Sequence, residues 1–141
     1  FSLFHVLNFN EKNFSVESKQ LSVILGKNFV ITFHEEPLKD IFQPLIEKIN
    51  TKGGKMRTSS IDYLFYAIID EAVDNYTKAA RTFEKNQAMS SEYLFRAASL
   101  YELMGRNKEA IALYTELKDK FPRTERGFSA DKYLGKLGAT E

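Results

Sequence analysis

The sequence predicts an α+β chain whose strands are confined to its first quarter. Two observations carry this. Apolar residues alternate with a two-residue period up to Phe33, and from Ile41 onward they recur at helical spacing and never return to alternation. Turn-forming residues separate the runs, at Gly26-Lys27-Asn28, at Lys52-Gly53-Gly54-Lys55 and at Gly105.

Phe1 to Phe9 alternates roughly, with Leu3, His5, Leu7 and Phe9 on one face and Phe4 and Val6 on the other. Glu11, Lys12 and Asn13 break the pattern, which reads as a strand followed by a turn. Gln20 to Leu25 alternates again through Leu21, Val23 and Leu25, and Phe29, Ile31 and Phe33 alternate after Gly26, which is free to take positive φ. Two strands in a tight hairpin are expected, with one face against helices.

Asp40 is read as the N-cap of a helix carrying Ile41, Phe42, Leu45, Ile46 and Ile49. Pro44 fits only near its first turn, where a missing N–H costs little. Lys52 to Lys55 ends that helix as a basic loop, and Ser59 or Ser60 caps the next. In that helix Ile61, Leu64, Phe65, Ile68, Ile69, Ala72, Val73 and Tyr76 follow the amphipathic pattern most closely. Beyond it, Leu94, Ala97, Ala98 and Tyr101 precede Gly105, and Ala110 and Tyr114 follow it, ending at Pro122. Phe128, Tyr133, Leu134 and Leu137 suggest a last helix stopped at Gly138.

Composition narrows the function. The chain has 141 residues, 43% hydrophobic and 28% charged, which suits a folded chain of one ordinary domain or two small ones. A net charge of +1 gives no basic stripe, so no nucleic-acid partner is expected. Residues 1–76 carry 8 Lys/Arg against 10 Asp/Glu, and the rest carries 12 against 9. With no cysteine, disulfides, thiolate metal sites and cysteine nucleophiles are excluded. No run approaches the roughly 20 apolar residues of a membrane span. The start at Phe1 inside a strand suggests part of a longer chain.

The order strand, hairpin, helix, loop, helix, with QLSVILGKNFVITFHEEP, DIFQP and DYLFYAIIDEAVDNY in sequence, resembles the cytosolic domain of CorA-type magnesium/cobalt transporters over residues 1–76. That resemblance implies a partial α/β/α layered domain of strands plus two helices. It also implies a pentameric parent in the inner or plasma membrane, with magnesium bound in the full-length assembly. The Gly-Met-Asn signature between that family's membrane spans is absent from this sequence. The segment LFRAASLYELMGRNKEAIALYTELKDKFP is similar to a tetratricopeptide hairpin, within a likeness covering residues 78–138. Ala79, Ala80 and Phe83 resemble the tail of a preceding repeat, and Leu117 stands where the family prefers a small residue, which implies looser packing. That resemblance implies a hairpin and capping helix over residues 77–141, and a peptide or helix partner in a concave groove.

Candidate chemistry is sparse. His34-Glu35-Glu36 lacks the spacing that puts two imidazoles on one helix face, and His5 is the only other histidine. Asp70 and Asp74, four residues apart beside Glu71, can bridge a hydrated cation, or form a solvated helix face. The Gly53-Gly54-Lys55 loop lacks the phosphate-loop spacing. No nucleophile with a base and an orienting group is visible, so no enzyme is expected. The reading is a cytoplasmic fragment of a CorA-type transporter without the pore, joined near Tyr76 to Lys78 to a tetratricopeptide-like segment. It would touch a membrane only through regions not present. The alternative is an interaction module whose repeat segment does the work.

Overall fold

The computed structural model describes residues 2–10, 12–13, 15–34, 39–51 and 54–139. Among the described residues three strands, β1 (Ser2–Asn10), β2 (Ser15–Leu25) and β3 (Val30–His34), precede six helices. These are α1 (Lys39–Asn50), α2 (Lys55–Thr58), α3 (Ile61–Thr82), α4 (Gln87–Leu103), α5 (Asn107–Lys120) and α6 (Glu125–Lys136). The expected α+β content is observed, with no strand beyond His34 among the described residues. The chain gathers into two compact units, Phe1–Asn75 and Tyr76–Glu141.

In the first unit the strands form an antiparallel sheet in the order β1-β2-β3. β2 begins at Ser15, five residues before the expected strand. Its polar start, Ser15 to Lys19, has no apolar alternation, but β1 supplies a full ladder from Asn10 opposite Ser15 to Ser2 opposite Val23. Backbone pairing overrides side-chain pattern there. Val6, Leu21 and Val23 share one face, and all three are fully buried. The other face carries Ile31 and Phe33, 42% and 56% exposed, so only part of the expected apolar hairpin lies in the core.

Gly26 does not take the positive φ its turn position suggested; among the described residues Gly105 and Gly138 do, at 71° and 77°. Gly26 matters for a different reason, since a Cβ there would run into the ring of Phe29, while its N–H bonds to the Phe29 carbonyl at 2.8 Å. Asp40 lies inside α1 rather than capping it, because the helix starts at Lys39, and Pro44 falls in its second turn. The expected pair of helices in this unit is three. Part of the anticipated basic loop closes into the single turn α2, with Ser59 N–H on the Lys55 carbonyl at 2.9 Å. Four residues are too few for a hydrophobic period to show. On α3, Ile68, Ile69, Ala72 and Val73 are buried, whereas Leu64 and Phe65 are half-buried.

α3 runs unbroken past the expected joint to Thr82, so Ala79 and Ala80 sit buried on its last turns. In the second unit α4 and α5 form a helical hairpin about Gly105, whose left-handed conformation lets the chain reverse. Asn86 caps α4 by accepting from Met89 N–H at 3.2 Å, and Thr124 caps α6 by accepting from Gly127 N–H at 3.1 Å. Leu117 is fully buried on α5. Gly127 lies close against the end of α5: a Cβ there would collide with the Phe121 carbonyl and come within 3.2 Å of the Leu117 backbone oxygen.

Two substitutions test these cores by urea unfolding. Ile68→Asp should destabilise the chain by more than about 3 kcal/mol, because it buries an unpaired charge. Gly127→Ala should cost about 2 kcal/mol or more, since the obstructing atoms are backbone and cannot rotate away.

Candidate functional site

Among the described residues, charged side chains gather at two places. The first is a turn of α3 in the first unit. Asp70 is half-buried and Asp74 exposed, with Glu71 between them also half-buried. Burial pushes the Glu71 carboxyl up, the charge of Asp74 adds to this, and the Lys48 ammonium opposes it. The Asn75 side-chain amide donates to the Glu71 carbonyl at 2.9 Å. The turn therefore presents negative charge that is partly desolvated. Among the described residues no group of three or more His, Asp or Glu is arranged to hold a metal ion. A pair of carboxylates can attract a hydrated divalent ion by charge, but replaces little of its water shell.

The histidines do not meet. His5 is opposite Gln20 and His34 opposite Leu21, adjacent positions on β2, so the two lie on opposite sheet faces. Glu35 and Glu36 lie outside the described residues, as do Lys52 and Gly53 of the basic loop.

The second place is the polar face that α4 turns toward α6. Glu92 is 30% exposed and takes two arginines: Arg96 Nε donates to Oε1 at 2.8 Å and Arg126 Nε to Oε2 at 2.7 Å. The Arg126 guanidinium lies over the Phe95 ring at 4.1 Å, a cation–π contact. Arg96 also donates to the Tyr76 hydroxyl. Burial alone would raise the Glu92 carboxyl, but the hydrogen bonds from Arg126 and Arg96 outweigh it and hold the group below the usual carboxylate range.

One further step along, the Tyr114 hydroxyl donates to Glu102 Oε2 at 3.1 Å and lies 3.3 Å from Ser99 Oγ. Lys136 pairs with the other Glu102 oxygen. Burial pushes the Tyr114 hydroxyl up to about 12; the Ser99 hydrogen bond opposes this and Glu102 reinforces it. Tyr133 stacks on Tyr114 with centroids 5.1 Å apart and planes 13° off parallel. Both α4–α6 ion pairs join residues 34 apart. This face went unseen in the sequence, where Glu92 and Arg126 are separated by a helix and two turns. A search for opposite charges 34 residues apart would have found it.

The two carboxylates predict opposite acid responses. Glu92 has a depressed folded value, so its contribution is present above the ordinary glutamate pKa of about 4.3 and is lost as pH falls through the folded value. Glu92→Gln should cost about 1–2 kcal/mol at pH 7 and flatten acid unfolding of the second unit. Glu71 has a raised folded value, so stability should rise as pH falls through that value and level off below the unfolded one. Glu71→Gln should be neutral or stabilising at pH 7 and remove that rise. Urea unfolding at pH 3–7, with NMR reporting each unit, checks both signs.

Comparison with known proteins adds two findings. The family described as CorA-like Mg2+ transporter protein matches residues 1–120, running past Tyr76 to the end of α5. The cobalt/magnesium transport protein CorA of Thermotoga maritima is 37% identical over 76 residues, 54% of this chain and 21% of the relative. The chain thus spans about one-fifth of that relative's length.

Proposed function

Because the chain belongs to the CorA-like Mg2+ transporter protein family, we propose that residues 1–76 act as part of the cytosolic domain of a divalent-cation transporter, with magnesium or cobalt as cargo. The match over residues 1–120 carries this reading. No described helix is long and apolar enough to cross a membrane. On this reading the ion path belongs to other parts of an oligomeric, membrane-bound assembly, and this segment sits on its cytoplasmic side. Asp70 and Asp74 would then sense the cation rather than carry it, weakly and only with help from neighbouring groups in the assembly.

Within that reading, residues 77–141 serve as a tetratricopeptide-like hairpin with a capping helix, offering a surface for a protein or peptide partner. Supporting this are the left-handed Gly105 between α4 and α5, and the 34-residue offset of both ion pairs between α4 and α6. That offset is the period of such repeats.

The experiment is a chimera. The aligned segment of the Thermotoga maritima protein is replaced by the matching residues of this chain, and cation uptake is measured in liposomes. Uptake should persist and be lost from liposomes holding the chain alone. A chimera that assembles but conducts nothing would defeat the reading. Titrating the isolated chain with magnesium should show no site tighter than about 1 mM, equivalent to about −4 kcal/mol. Any chemical-shift change should centre on Asp70, Glu71 and Asp74, and Asp70→Asn with Asp74→Asn should abolish it.

A further inference from the structure

The outward face of α6 combines an exposed aromatic ring with exposed charged residues. Phe128 is 84% exposed there, the most exposed of the large apolar side chains on the described surface. Asp131, Lys132 and Gly135 follow at three-, four- and seven-residue intervals and are all exposed, so the four form one stripe. The 34-residue offset places Phe128 in the register of Leu94, which is only 5% exposed. The same offset sets Asp131 and Lys132 in the registers of Ala97 and Ala98, both fully buried. The α6 face is therefore charged where α4 is packed, yet keeps a large aromatic ring at its start.

We propose that this face of α6 pairs with the same face of a second copy of the chain, the two helices antiparallel about a twofold axis between residues 131 and 132. The pattern is self-complementary under that operation. Phe128 precedes Asp131 by as many residues as Gly135 follows Lys132. Setting Asp131 against Lys132 of the second copy therefore sets Phe128 against Gly135 of the second copy, twice over. The glycine leaves a shallow place for the ring, and the two charge pairs lie at the centre. An isologous contact of this kind uses one patch on both subunits. A purely apolar partner would leave Asp131 and Lys132 desolvated without counter-charges, which disfavours it. Asp131 already binds Lys118 at 2.8 Å, but its side chain is 67% exposed and has an edge free for a second cation.

The contact is small. A 12-residue helix is about 18 Å long. Such a seam falls short of the roughly 800 Å² per partner of a standard interface, so the dimer belongs to the weak, transient class. Sedimentation equilibrium of the whole chain should show a monomer–dimer equilibrium with a dissociation constant on the order of 100 μM. Phe128→Ser should weaken it by about tenfold or more. Asp131→Lys and Lys132→Asp should each weaken it, because each places like charges together at the axis. The double exchange restores opposite pairs and should bring association back to within about threefold of the original. Phe33→Ser, on the sheet, should change nothing. The substituted α6 residues are exposed, so thermal melts should confirm that every variant folds. A chain that stays monomeric to about 1 mM, an association insensitive to Phe128→Ser, one abolished by Phe33→Ser, or a double exchange that fails to rescue would each overturn the proposal.

Discussion

The close approach of α6 to α5 at Gly127 governs the second unit. A side chain at that position would strike the Phe121 carbonyl, so α6 can seat only with this glycine turned inward. Successive helical residues are about 100° apart. Fixing residue 127 therefore fixes its neighbours: Arg126 reaches across to Glu92 on α4, and Phe128 is left facing water. The same rotation brings Tyr133 flat against Tyr114 and Lys136 to Glu102. A single missing methyl group thus determines which α6 residues stitch the unit together and which remain available outside.

The charged contacts that follow are not equal in weight. Lys118–Asp131 and Lys120–Glu116 join side chains that are largely in water, and such pairs contribute little after screening and side-chain entropy. Glu92 differs because its carboxylate is mostly withdrawn from solvent and both oxygens are satisfied, each by a guanidinium. Planar guanidinium groups suit this role, since Arg126 can bond the carboxylate edge-on while its face covers Phe95. The group connects Tyr76, α4 and α6 through three hydrogen-bonded side chains, so removing it would leave two cations facing each other.

How much of this could be read in the sequence depended on range. Local signals were legible. The apolar stripe of α3, the reversal at Gly105 and the stop at Gly138 each depend on residues within a few positions, and each is present. The polar half of β2 was not legible, because its partner is β1 rather than any pattern of its own. The function of Gly127 was likewise hidden, since what forbids a side chain there is a backbone carbonyl brought near by folding, as was the approach of the Phe29 ring to Gly26. Of the candidate site, the acidic turn at Asp70 and Asp74 was visible from spacing alone, whereas the Glu92 cluster required knowing that α4 and α6 lie side by side. Leu117 shows the limit of reasoning from a family pattern: its bulk suggested loose packing, and in the fold its side chain is fully buried.

The positions that α4 and α6 share at a 34-residue offset differ in what they present outward. At the positions where α4 carries the buried Ala97 and Ala98, α6 carries Asp131 and Lys132, and at the position of the half-buried Tyr101 it carries the exposed Gly135. A further helix packed there as α5 packs on α4 would bury two charges, one already committed to Lys118. The inner face of α6 keeps Gly127, Ala130 and Leu134 for contact with the preceding helices. The helix is thus apolar inward and charged outward. Phe128 departs from this, since a large ring 84% exposed gains nothing from water. Its retention on an otherwise water-adapted face is best understood if that face meets another protein surface.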